Sequence, residues 1–167
     1  GVALQARRDA LELGRDRLHD GWREEAAERT IQALQKADVV FQAPVYNKDL
    51  GLFGISDFVI RRRNEKGNGD EIVIWDTKLA IRPRMYFLAQ LGAYAEAIDT
   101  RLQSCPATQH LRVQKIGLVL GERSAEDGEV HELNALEPRQ HFRKLWASFR
   151  IFHSRWDPCS HPPDPGE

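Results

Sequence analysis

Two carboxylates and one lysine define the chemistry open to this sequence. Asp76 and Lys78 stand two residues apart at the end of Glu71-Ile72-Val73-Ile74-Trp75-Asp76-Thr77-Lys78-Leu79, an apolar, β-branched run that reads as a strand. Side chains alternate along a strand, so Ile72, Ile74, Asp76 and Lys78 share one face, while Val73, Trp75, Thr77 and Leu79 share the other. A second apolar run over 52–60 carries an isolated acid, Asp57, placed by the same alternation between Ile55 and Val59. If the two runs pair antiparallel, Asp57 comes beside Asp76 with Lys78 just beyond. Such a grouping makes a site for a divalent cation with an ammonium next to it. A carboxylate and an ammonium on an apolar face are costly to bury unless they line a cleft or pair tightly. A plain ion pair from Lys78 to either acid is therefore the other reading of these residues.

The grouping suits phosphodiester hydrolysis. That reaction needs a polarised phosphoryl oxygen, an activated water and relief for the charge on the leaving oxygen, and divalent metals supply most of this. Magnesium takes hard oxygen ligands and keeps several waters, so two carboxylates and one backbone carbonyl suffice from the protein. Asp57, Asp76 and the carbonyl of Thr77 are the candidate ligands. Lys78 is placed to orient the attacking water or to stabilise the pentacovalent state. As a general base it would need a depressed pKa.

The elements that must position these groups follow from pattern. A charged, amphipathic helix is predicted over 2–18, and a second over 22–35 with Ala26, Ala27, Thr30, Ile31 and Leu34 as its apolar stripe. A strand over 39–46 contains Pro44, which suggests a sheet edge or a bulge. Asn47-Lys48-Asp49-Leu50-Gly51 is a tight connection, so the first two strands form a hairpin. The turn over 64–70 leads into the strand that carries Asp76. Pro83 fits the first position of a helix to about residue 99, on which Phe87, Leu91, Tyr94 and Ile98 face the core, and a loop is predicted over 101–110. Strands over 113–120 and 130–133, joined through a turn over 122–128, and a helix over 138–152 complete the pattern. The expected fold is α/β, a mixed sheet of about five strands flanked by helices.

At 167 residues, 41% hydrophobic and 29% charged, the chain has the size and composition of one globular domain. We place that domain over 1–156, with N-terminal helices over 1–36, a sheet-and-helix core over 37–152 and an irregular, proline-rich tail over 157–167. A net charge of −1 gives no global field for nucleic acid, so any such contact must come from local clusters such as Arg61-Arg62-Arg63 or Arg82-Pro83-Arg84. No run is long and apolar enough to span a membrane, and the two cysteines, Cys105 and Cys159, suggest neither a disulfide framework nor a zinc site. A cytoplasmic setting is the expectation.

Three short motifs now bear on the chemistry together. Gly54-Ile55-Ser56-Asp57-Phe58, then Trp75-Asp76-Thr77-Lys78-Leu79, then Gln90-Leu91-Gly92-Ala93-Tyr94 resemble the pattern of the PD-(D/E)XK phosphodiesterases: an acid closing one strand, acid-x-lysine on the next, and a Gln-x-x-x-Tyr helix. Within them the chain is similar to the RecB-like branch, which includes CRISPR-associated exonucleases. Val40-Phe41-Gln42-Ala43 and Leu118-Val119-Leu120-Gly121 are similar to RecB-like nucleases fused to helicases. The resemblance covers residues 37–121.

It implies a restriction-endonuclease-like core in which Asp57 and Asp76 bind Mg2+ or Mn2+ and Lys78 is catalytic. It also implies that Gln90 and Tyr94, one helical turn apart, help to hold a DNA strand. The branch takes a further ligand from an N-terminal helix: His19 is the candidate, with Glu25 and Glu28 as alternatives. Arg82 and Arg84, near the mouth of such a site, are placed to contact phosphates. Many relatives end in a cysteine cluster holding an iron–sulfur centre, which two cysteines cannot hold. The remaining histidines (His110, His131, His141, His153 and His161) show no ligand spacing, and Trp146, Phe149 and Phe152 follow helical spacing as core or interface. The implied function is a metal-dependent DNA nuclease, exonuclease-like on single-stranded ends, in DNA repair or phage defence, with a helicase as possible partner. The alternative is a non-catalytic module of the same fold that binds DNA or a protein in a larger helicase–nuclease assembly.

Overall fold

A computed structural model describes residues 21–63, 69–80, 82–121 and 130–155. The first predicted helix with His19, the turn over 122–128 and the tail with Cys159 lie outside the described residues. In chain order the elements are α1 (Trp22–Lys36), β1 (Val39–Asn47), β2 (Leu52–Arg62), β3 (Glu71–Lys78), α2 (Met85–Ser104), β4 (Arg112–Leu120), β5 (His131–Asn134) and α3 (Leu136–Arg155). The five strands form one mixed sheet in the order β1-β2-β3-β4-β5, so the chain is α/β. Neighbours are antiparallel except β3 and β4, which run parallel. A parallel pair needs a long crossover, and α2 supplies it.

One face of the sheet carries the core. Val40, Val59, Ile72, Ile74, Ile116 and Leu118 pack there with Ile31 and Leu34 of α1 and with Leu91, Ile98 and Leu102 of α2. Each fully buried aliphatic side chain of this size is worth about 1.5–3 kcal/mol. Thr30, on the apolar stripe of α1, also donates its hydroxyl to the carbonyl of Pro44 at 2.8 Å. That bond fastens the helix to β1, which is an edge strand as Pro44 suggested. On the opposite face Trp75 lies over Gly117, where an added Cβ would sit 2.6 Å from the indole. The indole N–H donates to Glu132 at 2.9 Å, and Arg62 also clasps that carboxylate with two N–H groups.

Two helices depart from the sequence reading. α2 starts at Met85 rather than Pro83, and runs through Ser104 instead of ending near residue 99. Its apolar period continues to Leu102, which is fully buried, so packing carries the helix into the predicted loop. α3 lies against α2 and buries little of itself, with Pro138 its one buried residue. Phe149 is 52% and Phe152 64% exposed, and Trp146 is half-buried, so of the two expectations, core or interface, the core is ruled out. Helical spacing groups apolar side chains on one stripe but does not say that anything covers it.

Ion pairs and one close backbone approach hold α3 in place. Arg139 reaches Glu96 at 2.8 Å and Asp99 at 3.1 Å, and Arg143 reaches Glu96 at 2.7 Å. Asp99 also accepts the backbone N–H of Val113 at 3.0 Å, tying α2 to β4 as well. A Cβ at Gly92 would stand 2.3 Å from the carbonyl oxygen of Pro138. Gly92→Ala should therefore destabilise the fold by about 1–3 kcal/mol, although alanine is the better helix former by about 1 kcal/mol. Urea unfolding checks the sign, and a more stable variant would show that the two helices do not approach this closely.

Candidate functional site

The site forms where the β2–β3 ladder ends. β2 and β3 pair from Arg62↔Glu71 to Phe58↔Trp75, and the next opposed positions, Asp57 and Asp76, fall just beyond the ladder. The β1–β2 ladder also skips one pair, Gln42 opposite Asp57. Gln42 has a φ of 51°, in the left-handed region that a non-glycine residue rarely adopts. Alternation breaks on both strands at this level. Val40 is buried before the break and Ala43 and Val45 after it, while on β2 both Val59 and Ser56 are buried and Ile55 is 47% exposed. Asp57 thus does not share one regular face with Ile55 and Val59, which corrects the simple strand reading.

At this break the Asp57 carboxylate reaches sideways. One oxygen accepts the backbone N–H of Thr77 at 2.7 Å and the Thr77 hydroxyl, and the other accepts the Gln42 amide at 2.9 Å. Asp76, beyond Ile74 on the helix side of the sheet, is 3% exposed, and its carboxyl approaches that of Asp57. Lys78, two residues on, brings its ammonium to 2.5 Å from Oδ2 of Asp76. The same ammonium donates to Oε1 of Gln90 at 3.1 Å, and Nε2 of Gln90 donates to the Tyr94 hydroxyl at 3.0 Å. The Phe87 ring, one turn before Gln90 on α2, lies 5.5 Å from the ammonium. Asp57, Asp76, Thr77, Lys78, Gln90 and Tyr94 are therefore joined by contact.

Electrostatics drive the two acids apart. Burial opposes ionisation of Asp57, but hydrogen bonds from Thr77, Asp76 and Gln42 outweigh it and hold the carboxyl below its usual range. For Asp76 burial is the largest effect and raises the pKa; Lys78 opposes the rise and the neighbouring Asp57 adds to it. Asp76 Oδ2 is buried and, despite the nearby ammonium, has no aligned hydrogen-bond donor among the described residues. A buried carboxylate oxygen with an unfilled acceptor site, beside a second acid, fits a hard divalent cation. Among the described residues no group of three or more His, Cys, Asp or Glu side chains surrounds that position. The carboxylates of Asp57 and Asp76 are the acidic oxygens that meet there.

Other sequence candidates fall elsewhere. Glu28 pairs with Arg101 at 3.8 Å, seven residues beyond Tyr94 on α2 and so about 10 Å along the helix. Glu25 is exposed on α1, and neither glutamate is among the groups that act on Asp57 or Asp76. His19 lies outside the described residues. Arg82 and Arg84 are exposed and line an open concavity with Leu79 and Ala80, on the segment that leads from Lys78 into α2. Gln42 and the Thr77 side chain were not anticipated as partners of Asp57. The hairpin register held a clue: with Asn47 opposite Leu52 across the turn, residue 42 must oppose residue 57. Cys105, half-buried, caps the C-terminal end of α2.

No family model and no curated protein matches this sequence.

Because the folded Asp76 carboxyl has a raised pKa, its contribution to stability is fully present below the ordinary value of 3.8 and is lost as pH rises through the folded value. Asp76→Asn should accordingly be more stable than the parent chain at neutral pH and lose that advantage below about pH 4. Added Mg2+ or Mn2+ should raise the melting temperature of the parent chain and leave the variant unmoved. Thermal unfolding across pH, with and without metal, measures both effects. A variant less stable than its parent at neutral pH would contradict the charge balance at Asp76.

Proposed function

We propose that this chain is a metal-dependent deoxyribonuclease domain with a restriction-endonuclease-like, RecB-like core, acting on single-stranded DNA ends in repair or phage defence. The observation that carries the proposal is the end of the β2–β3 ladder. There two acids interact, one with a lowered and one with a raised pKa, with a lysine 2.5 Å from the buried one. Neighbouring acids whose surroundings push their ionisation apart are a recurrent arrangement at functional sites, where the two take different roles.

In this reading Asp57, Asp76 and the Thr77 carbonyl would hold Mg2+ or Mn2+, which would polarise the scissile phosphoryl group and lower the pKa of a bound water. Lys78, fixed between Asp76 and Gln90, places a positive charge where the phosphate gains negative charge. Arg82 and Arg84 meet the strand's phosphates from the exposed segment after β3, and affinity that depends on them weakens with salt. A cytoplasmic setting and a helicase partner belong to the same proposal. So does a role for His19, or less directly Glu25 or Glu28, as a further ligand. No iron–sulfur centre is part of it.

A second reading has an observation of its own. Asp57 is already satisfied by Thr77 and Gln42, and Asp76 already has a counter-cation in Lys78. A site closed by its own side chains suits a non-catalytic module that binds DNA or a protein partner. Calorimetric titration with Mg2+ and Mn2+, followed by incubation with labelled single- and double-stranded DNA, separates the two. The nuclease reading expects metal uptake and cleavage of single strands. It further expects Asp57→Ala, Asp76→Ala and Lys78→Ala each to lower the rate by at least about 100-fold with the fold retained. Strand binding without metal uptake or turnover would establish the non-catalytic module instead.

A further inference from the structure

Among the described residues Lys78 has two polar partners, and only one of them is an acid. Its ammonium lies 2.5 Å from Asp76 Oδ2 and 3.1 Å from Gln90 Oε1. An ammonium carries donors and no acceptor, so Gln90 must turn its oxygen toward Lys78 and its nitrogen toward Tyr94. The phenol oxygen of Tyr94 then accepts that N–H, at 3.0 Å. Each link settles the direction of the next.

The far end of this chain is the firmest. Tyr94 is 7% exposed, and its hydroxyl stands where β2 has no side chain: a Cβ on Gly54 would lie 2.5 Å from the phenol oxygen. Gln90 and Tyr94 sit one turn apart on α2, which is packed across the sheet, so the pair is anchored to the core. Lys78 by contrast hangs on a flexible four-carbon stem at a strand end, and its side chain is 21% exposed. Without Gln90 its polar anchoring among the described residues would rest on Asp76 alone, with the Phe87 ring beside it. A cation taken up by Asp76 would compete with Lys78 for the same oxygen, whereas the Gln90 contact does not involve that carboxylate.

We propose that Gln90 and Tyr94 are positioning residues for the Lys78 ammonium, not contacts for the DNA strand as the family resemblance implies. The geometry stands by itself, and its meaning for catalysis rests on the nuclease reading above. Signals of slowly exchanging lysine NH3+ groups, recorded by NMR on chain labelled with 15N-lysine, read the ammonium directly. Lys78→Arg assigns its signal. Tyr94→Phe keeps the ring against Gly54 and removes only the hydroxyl; Gln90→Ala removes the acceptor; Gln90→Glu restores an acceptor for Lys78. The expected result is a protected Lys78 signal that shifts or broadens away in Tyr94→Phe and Gln90→Ala and returns in Gln90→Glu. Backbone amide spectra verify that each variant is folded, and should Tyr94→Phe fail to fold, the two Gln90 variants decide. A Lys78 signal absent from the parent chain, or unchanged in the folded variants, overturns the proposal. So does a loss confined to binding of a single-stranded oligonucleotide. In cleavage assays the same variants should lower kcat on the order of tenfold at unchanged KM, and a raised KM at unchanged kcat counts for strand contact instead. If the parent chain neither binds metal nor cleaves DNA, the nuclease reading fails, while the ammonium signal still decides the role of the pair.

Discussion

The site depends on the cost of keeping a carboxylate at Asp76 on the buried face of β3. Ile72 and Ile74 precede it on that face, both fully buried, and Asp76 itself is 3% exposed. A lone ion there would not stay ionised; it would take a proton, as the raised pKa of Asp76 records. Lys78 lessens the cost from one side, while Asp57 increases it from the other. Much else near the site serves this balance. Thr77 and Gln42 hold the Asp57 charge in place, and Gln90 shares the ammonium that Asp76 draws inward. An apolar residue in place of Asp76 would remove the strain and, with it, one of the two acids that meet at the end of the ladder.

Such a site needs an interruption in the sheet. An unbroken ladder would occupy the Thr77 backbone N–H or leave it aimed along the strand plane, and Asp57 would keep to one pleat. Instead the β1–β2 ladder skips Gln42 and Asp57 and the β2–β3 ladder ends before Asp57 and Asp76, while β3 stays paired with β4 through Lys78, and the N–H of Thr77 becomes a donor to Asp57. The left-handed backbone at Gln42 is a strained conformation of the kind that collects at functional sites. Rigid packing on both sides keeps the gap from closing or spreading. Below it, the ladder and core continue through Val59 and Ile74; beside it, α2 is fixed to β4 and α3 through Asp99, Glu96 and Arg139. The stable and the strained parts share elements but not residues, since β3 is core at Ile74 and site two residues later.

Much of this was legible from residue order. Periodicity placed α1, the β1–β2 hairpin and β3, and the acid-x-lysine at a strand end marked where polar chemistry interrupts an apolar face. Antiparallel succession was enough to bring Asp57 next to Asp76. These are local matters: alternation, turn residues and strand order depend on the chain within some twenty residues of each group. The five-stranded mixed sheet followed from counting such elements.

What the tertiary structure alone decided lies between segments far apart in sequence. The direction of Asp57 depends on a break shared by two strands, and regular alternation misassigned its face. That Gln90 turns to Lys78 is a matter of how α2 crosses the sheet, which a spacing of four residues on one helix does not contain. The apolar stripe of α3 was plain in the sequence, yet its exposure was not, because hydrophobic period reports which residues group together and not what packs against them. Residue order determined which chemistry was present and in which elements. Packing decided which atoms meet, because hydrogen bonds and charge interactions depend on distances and directions that only the assembled layers set.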